Sequence, residues 1–136
     1  MLALSAAMRA VAAEPLLRPA VAVLEREVCR LTPAREATVI AIDRAGAVWT
    51  RDGSVISDEV HQLVTRVAGT GQRAAFGHAL FEPIGGPPAR AVLAVRRRPR
   101  DRFADDDIAL VSALAGGVAA TLNRLISARD LLAHAP

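Results

Sequence analysis

The sequence predicts a single α+β domain in which an antiparallel sheet packs against helices. Three features predict it: an amphipathic helical pattern near the start, β-rich runs joined by short turns in the middle, and a long apolar helical pattern at the end. The chain has 136 residues, of which 52% are hydrophobic. This size is common for one compact domain, and the apolar content is enough for a core.

The first predicted helix begins at Leu16 and ends before Pro33, which cannot continue a helix. Its apolar residues recur at spacings of three and four, which indicates one buried face: Leu17, Val21, Leu24, Val28 and Leu31. Residues 1–15 are expected to form a poorly ordered or frayed extension, so we place the domain at residues 16–133. Arg9 interrupts the early apolar run and disfavours a secretory signal.

The β-rich runs predict a sheet of four or five strands. "ATVIAIDRAGAVWTRDG" predicts a hairpin that turns at Asp43 to Gly46, whereas "AAFGHALFEPI" predicts one strand. After the turn "GGPP", "ARAVLAVRRR" predicts a returning strand with both faces buried. Between the hairpins, Asp58 is the expected cap of a short helix that ends at Gly69 or Gly71.

The last predicted helix lies in "RFADDDIALVSALAGGVAATLNRL". Asp105, Asp106 and Asp107 fall in its first turn, where the helix dipole favours negative charge. They lack the alternate spacing and the distal glutamate of an EF-hand loop. The apolar residues that follow form two rows, so one row should meet the sheet and the other a second helix, from this chain or from another copy.

Three strings resemble segments of GAF domains. "LVTRVAGTGQRAAF" is similar to the segment in which a short helix ends at a T-G-[QE] turn, and "LFEPIGGPPARAVLAVRRR" is similar to the hairpin that follows. The terminal string "RFADDDIALVSALAGGVAATLNRL" resembles the GAF terminal helix most specifically. Together they extend from about Leu63 to Leu125. The resemblance implies a GAF or profilin-like antiparallel sheet with the N- and C-terminal helices packed on one face.

The chain also departs from the GAF pattern. Ala104 stands where a Ser or Thr cap is common, which leaves Asp105 as the expected cap, and Ala91 stands where glycine is usual. Phe76 leads through Gly77 and His78 directly into Leu80, without the lid that ligand-holding members typically carry. The pocket face is therefore expected to be open, filled by its own side chains, or covered by a partner.

Trp49, Phe76 and His78 are the candidate ligand-binding residues, expected around one reduced pocket. The alternative is that His78 is a half-exposed strand residue and that Trp49 fills the core. No cofactor is expected, and the three histidines, at 61, 78 and 134, share no metal-ligand spacing. Cys29 lacks a second cysteine and is expected to have a packing role.

Arg96 to Arg102, "RRRPRDR", is the dense basic cluster of the chain. All 17 basic residues are arginines, but the net charge is only +3 and four aspartates lie within or beside the cluster. A solvated loop is therefore expected, with contact to nucleic acid or an acidic protein as the alternative. No catalytic triad, P-loop or paired catalytic carboxylates occur in a usable context, so an enzyme is not expected.

The sequence therefore predicts a non-catalytic regulatory or sensory domain in signalling or transcriptional control, located in the cytoplasm and not in a membrane. It is expected to act as a homodimer and to contact a signalling or regulatory protein. The alternative is a small-molecule sensor that uses the pocket around Trp49 and His78. The predicted dimer contacts lie on the first and last helices: Val21, Leu24, Val28, Leu31, Val111, Val118, Leu122 and Leu125.

Overall fold

The computed structural model describes residues 2–98 and 102–133, with side chains described through residue 130. Its helices are α1 (Leu2–Ala12), α2 (Leu17–Leu31), α3 (Asp58–Thr70) and α4 (Asp105–Ala133). Its strands are β1 (Glu36–Ile42), β2 (Val48–Trp49), β3 (Ala74–Phe76), β4 (Ala79–Ile84) and β5 (Ala91–Arg96).

The strands form one antiparallel sheet in the order β2-β1-β5-β4-β3. Helices α1, α2 and α4 share a hydrophobic core with one face of the sheet, and α3 packs on the other face. The structure thus confirms the predicted α+β class and the packing of the terminal helices on one face.

Alternation along the strands divides the apolar residues between the two cores. In β1, Val39 joins the core under α2 and α4, whereas Ile40 joins the core under α3. In β5, Leu93 and Val92 divide in the same way. Because both faces are covered, β5 is apolar nearly throughout, as the string "AVLAV" predicts.

The expected frayed extension does not hold for Leu2–Ala12, which forms helix α1 and packs against α2 and α4. Leu4, Ala7 and Val11 on one side of α1 are buried in the core. The approach to α4 is close, because a Cβ built on Gly117 would lie 1.9 Å from Sδ of Met8. The buried face of α1 explains why the segment is ordered.

The predicted dimer contacts need a correction. Seven of the eight side chains are buried inside one chain, and only Leu31 is half-buried. They meet as predicted between the first and last helices, but within the hydrophobic core of one chain. The seven buried side chains have too little exposed surface to contact a second copy, so homodimerisation itself stays a prediction that needs other residues.

The segment predicted as one strand, "AAFGHALFEPI", forms the hairpin β3–β4 instead. Phe76 pairs with Ala79, so Gly77 and His78 form a two-residue turn. Gly77 has a φ of 60°, a conformation that glycine adopts at no steric cost and that type II′ hairpin turns require. The apolar run continued across this glycine and concealed the turn.

Helix ends follow ordinary capping chemistry, with two changes of residue. Oγ of Ser57, rather than Asp58, accepts the Val60 N–H at 3.2 Å and caps α3. At α4, the N–H of Ala104 donates to Oδ2 of Asp107 at 3.0 Å. This is the carboxylate half of a capping box, and it holds the helix start without a Ser or Thr.

Helix α4 is long and apolar enough over Asp105–Asp130 to cross a membrane by length and composition alone. Its large apolar side chains are instead used in packing, because Val111, Leu114, Val118 and Leu122 lie in the core. A central helix of a folded domain passes the same test, so the pattern is weak evidence for a span.

Candidate functional site

A cleft of about 310 Å³ lies on the α3 face of the sheet, between the strands and the segment from residue 50 to 57. We call it the sheet cleft. Its volume is at the lower end for small-molecule pockets. Its lining residues come from three strands, the 50–57 segment and α3: Glu36, Thr38, Ile40, Thr50, Ser54, Val55, Ile56, Ser57, Val60, Ala79, Phe81, Ala94 and Arg96.

The strand register builds the cleft. Glu36 pairs with Arg96 and Thr38 pairs with Ala94 across β1 and β5, so these four residues project to the same face. Phe81 pairs with Ala94 from the other side and extends the apolar part of the wall. The cleft therefore has an apolar wall, one threonine hydroxyl near it, and opposite charges on exposed residues at one end.

The 50–57 segment forms a second wall and is held by local hydrogen bonds. Oδ1 of Asp52 accepts the Ser54 N–H at 3.0 Å and the Ser54 hydroxyl at 2.6 Å. These hydrogen bonds from Ser54 lower the pKa of Asp52. Oγ1 of Thr50 donates to the Ser54 carbonyl at 3.2 Å. Ser54 is thus fixed from two sides at the wall of the cleft.

The segment is also tied to α2 through a buried carboxylate. Oε1 of Glu25 accepts from Nε of Arg51 at 2.7 Å, and Oε2 accepts the Val39 N–H at 2.9 Å. Strand β2 pairs only with Ala41 and Ile42 of β1. Glu25 therefore satisfies an N–H at the stretch of β1 where β2 has ended. The hydrogen bond and charge of Glu25 raise the pKa of Arg51.

The chemistry of the cleft suits binding. Its polar groups are hydroxyls and, at one end, two side chains of opposite charge, and its wall is apolar. His61 lies elsewhere, with Nε2 3.2 Å from the Gly46 carbonyl oxygen. Across residues 2–98 and the described side chains of α4, no group of three His, Cys, Asp or Glu residues could hold a metal ion.

Comparisons with solved structures identify the architecture. The structure is similar to the GAF domain of the potassium sensor histidine kinase KdpD from Escherichia coli, with a TM-score of 0.74 and 17% identity. That similarity covers 96% of this chain and 98% of the KdpD domain. The chain has a GAF-like fold. This result confirms the family resemblance in the three strings at the level of the fold.

A second GAF domain, from a putative sensor histidine kinase of Pseudomonas syringae pv. tomato, is similar with a TM-score of 0.61 and 19% identity. The match covers 93% of this chain and 90% of that one. No family model matches the sequence, and no curated protein matches it. At these identities the comparisons establish the GAF-like fold alone.

Within the GAF-like fold, the three predicted ligand residues do not meet in one pocket. Trp49 lies on edge strand β2 and Phe76 on the opposite edge strand β3. Trp49 pairs with Ala41 and shares its helix-covered face, whereas Phe76 pairs with Ala79 on the α3 face. His78 is exposed in the β3–β4 turn. None of the three lines the sheet cleft.

Phe76 is 49% exposed and lies beside a separate depression with Glu59, Gln62, Leu63 and Arg66 of α3. Trp49 is half-buried, and it packs against the helical core, as the alternative interpretation of a core residue predicts. A ligand-binding role for these residues as a group therefore lacks the geometry that the prediction assumed.

Cys29 and the described arginines at 97, 98 and 102 lie outside the sheet cleft, whereas Arg96 lines it. Burial, followed by the charges of Glu25 and Glu36, raises the pKa of the Cys29 thiol, which is half-buried against the core. The N–H of Arg97 donates to the His78 carbonyl at 3.0 Å. Residues 99–101 and His134 lie outside the described residues.

The residues of the sheet cleft that sequence reasoning missed are chiefly Thr38, Thr50 and Ala94. Thr38 and Ala94 lie on two strands that the sequence predicted, but the sequence did not show how these strands pair. The observed register pairs Thr38 of β1 with Ala94 of β5 and so places both on one face. The sequence could not assign Thr50 to the cleft, because the two-residue strand before it is too short to show an alternating pattern.

Proposed function

We propose that this chain is a non-catalytic sensory or regulatory domain that binds a small ligand in the sheet cleft. The observation that carries the proposal is the composition of the cleft: an apolar wall at Phe81 and Ala94, hydroxyls at Thr38 and Thr50, and opposite charges at its exposed end. Small-molecule sites commonly combine an apolar lining with a few polar groups. The GAF-like fold is found in domains of one sensor histidine kinase and of one protein described as a putative sensor histidine kinase, and it supports the same class of function.

The ligand class follows from the size of the cleft. About 310 Å³ accommodates a compact molecule rather than a nucleotide or a haem. The walls favour a partly apolar body, and Glu36 and Arg96 at the exposed end favour a polar or zwitterionic group. The ligand would therefore be a small amphiphilic metabolite.

Binding in this cleft would reach the helices through Arg51. Its backbone follows Thr50 in the cleft wall, and its side chain bonds to Glu25 of α2. A ligand that shifts the 50–57 segment would therefore strain or release this contact. The resulting change in the position of α2 would be the signal that the domain transmits.

The test is a ligand-observed NMR screen of compact amphiphilic metabolites against the wild-type chain and Ala94→Leu. Leucine at position 94 would fill the cleft. The matched control is Ala75→Leu, because Ala75 is exposed on β3 and does not line the cleft. The proposal expects hits that disappear in Ala94→Leu and persist in Ala75→Leu. If every hit survives in both variants, binding lies elsewhere and the proposal is contradicted.

Homodimerisation is a second part of the proposal, and one observation favours it. Helix α4 carries no charged side chain from Ile108 to Asn123, although Ala109, Ala113, Gly116 and Ala120 are exposed. An uncharged face of small residues permits close helix packing, and a second copy presents the same face by symmetry. A signalling or regulatory protein partner would then bind the paired α4 helices. The proposal places the dimer in the cytoplasm, in keeping with the single cysteine.

Light scattering at micromolar concentration tests the dimer. We expect twice the monomer mass for the wild-type chain and the monomer mass for Ala113→Glu, which would bring two like charges together. Ala75→Glu, which is exposed on edge strand β3 and lies outside α4, is the control and should remain dimeric. A monomeric wild-type chain would contradict this part of the proposal and leave the sheet cleft unaffected.

A further inference from the structure

A second cleft, of about 270 Å³, lies on the helix-covered face of the sheet at the end of β2. We call it the Trp49 cleft. Trp49 shares a face with Ala41, so this cleft and the sheet cleft lie on opposite faces of the sheet. Its walls come from the start of α2, from β2 and from the last turns of α4: Pro15, Leu16, Leu17, Arg18, Trp49, Leu125, Ala128 and Arg129.

Two cations approach the same ring in this cleft. The guanidinium carbon of Arg18 lies 5.8 Å from the centroid of the Trp49 ring, and that of Arg129 lies 5.4 Å from it. Both distances are within the range of cation–π contacts. The two arginines come from α2 and α4, so the fold brings them together from sites 111 positions apart in the sequence (129 − 18).

Within residues 2–98 and 102–130, neither cation forms an ion pair with a carboxylate. Arg30, Arg51, Arg73 and Arg90 each form an ion pair, whereas Arg18 and Arg129 form none among the described side chains. Arg18 donates to the Arg51 carbonyl, which carries no net charge. Asp130 follows Arg129 in sequence, but its carboxylate bonds to Arg90. In the part of the chain that the structure describes, the cleft therefore holds two positive charges without a charged partner.

The remaining walls are apolar. Leu16 is 65% exposed at the rim, although leucine side chains gain free energy when they are covered. Leu17 and Leu125 are buried behind it, and the Trp49 indole offers a planar surface. A molecule that suits this cleft needs both a negative charge for the arginines and a compact apolar body for Leu16 and the indole.

We propose that the Trp49 cleft binds a small organic anion, namely a carboxylate or phosphate carried on a compact apolar or aromatic body. The guanidinium groups bind the anion through charge-assisted hydrogen bonds, which are stronger than neutral ones. The apolar body covers Leu16 and lies against the indole. This site does not depend on the sheet cleft, and either site can exist without the other.

The chain provides its own reporter, because Trp49 is its single tryptophan and it has no tyrosine. Titration with phenyl phosphate and with benzoate should change the Trp49 fluorescence and reach saturation. The two arms decide between phosphate and carboxylate. Benzyl alcohol has the ring without the charge, and inorganic phosphate has the charge without the ring. Each should bind at least tenfold more weakly than the better organic anion.

Paired variants test the arginines. The double variant Arg18→Gln/Arg129→Gln should raise the apparent dissociation constant at least tenfold. The matched control Arg26→Gln/Arg124→Gln changes one exposed arginine on each of the same two helices and should leave it unchanged. Equal affinity in both double variants would overturn the proposal. So would an absence of saturable response to either organic anion, or equal binding of benzyl alcohol.

A second measurement keeps the test independent of variant folding. In the wild-type chain labelled with ¹⁵N, phenyl phosphate should shift the Nε–H signals of Arg18 and Arg129 and the indole N–H of Trp49. Arginine signals that stay fixed while the indole signal moves would contradict a charge-based site.

Discussion

Nε of Arg51 lies 2.7 Å from Oε1 of Glu25, and this contact joins helix α2 to the segment that walls the sheet cleft. The other Glu25 oxygen accepts the N–H of Val39 in β1. One buried carboxylate thus connects a helix, the sheet and the cleft wall. Four predictions test the packing and chemistry of the helices and turns, and a final measurement tests the sheet cleft.

Glu25→Ala should destabilise the fold. The change leaves the Val39 N–H without its acceptor and Arg51 without its ion pair, so the free energy of unfolding should fall by about 2–4 kcal/mol. Arg51→Gln should cost less, about 1 kcal/mol, because Arg51 is partly exposed and solvent screens its charge. Urea unfolding measures both.

The double variant Glu25→Ala/Arg51→Gln separates the two contacts. The pair interaction predicts that the double variant loses less stability than the sum of the single losses, by about 0.5–1 kcal/mol. Strictly additive losses would mean that Glu25 acts on Val39 alone.

Gly117→Ala should displace α1. The new methyl group would meet Sδ of Met8 at 1.9 Å, and overpacking of this kind costs about 1–3 kcal/mol. Gly69→Ala in α3 is the control, since no atom lies within 4 Å of its built Cβ. That variant should gain about 0.5–1 kcal/mol from helix propensity. Thermal unfolding should therefore move in opposite directions for these two helical glycines. A gain in both would show that Met8 yields freely.

Gly71→Ala should be more harmful than Gly46→Ala. Both glycines have positive φ, 72° and 85°, so alanine at either position should cost about 1–2 kcal/mol. Only Gly71 faces a neighbour, because its built Cβ would lie 2.9 Å from Cδ of Pro87. This contact should add about 1–3 kcal/mol. Denaturant midpoints compare the two, and equal losses would contradict a tight approach of Pro87 to the end of α3.

Cys29 should react slowly with a thiol reagent. Burial raises its pKa, with the charges of Glu25 and Glu36 acting in the same direction, so less thiolate is present at a given pH. Alkylation of the folded chain should therefore rise with pH at higher values than alkylation of the urea-unfolded chain. Coincident pH profiles would contradict the packing role.

The sequence predicted the class of the fold and most of its elements, because hydrophobic period and turn residues are local signals. It missed α1, whose buried face becomes apparent only when α2 and α4 provide a groove for it. It also merged β3 and β4, since the apolar run continues across Gly77.

The site was less predictable. We predicted Trp49 and Phe76 in one pocket because their strands were expected to face the GAF pocket, but strand order and register place them on opposite edges and faces. Long-range register and the Arg18–Trp49–Arg129 cluster depend on contacts between distant segments, which a single sequence does not reveal.

The most direct test of the sheet cleft is amide chemical-shift mapping of the wild-type chain with a panel of compact amphiphilic metabolites. We predict at least one compound whose shifts cluster at Thr38, Thr50, Ser54 and Ala94, with smaller shifts in α2 near Glu25. If no compound in a broad panel moves these amides, or if the shifts of every bound compound cluster away from the cleft, the proposed sensory site is wrong.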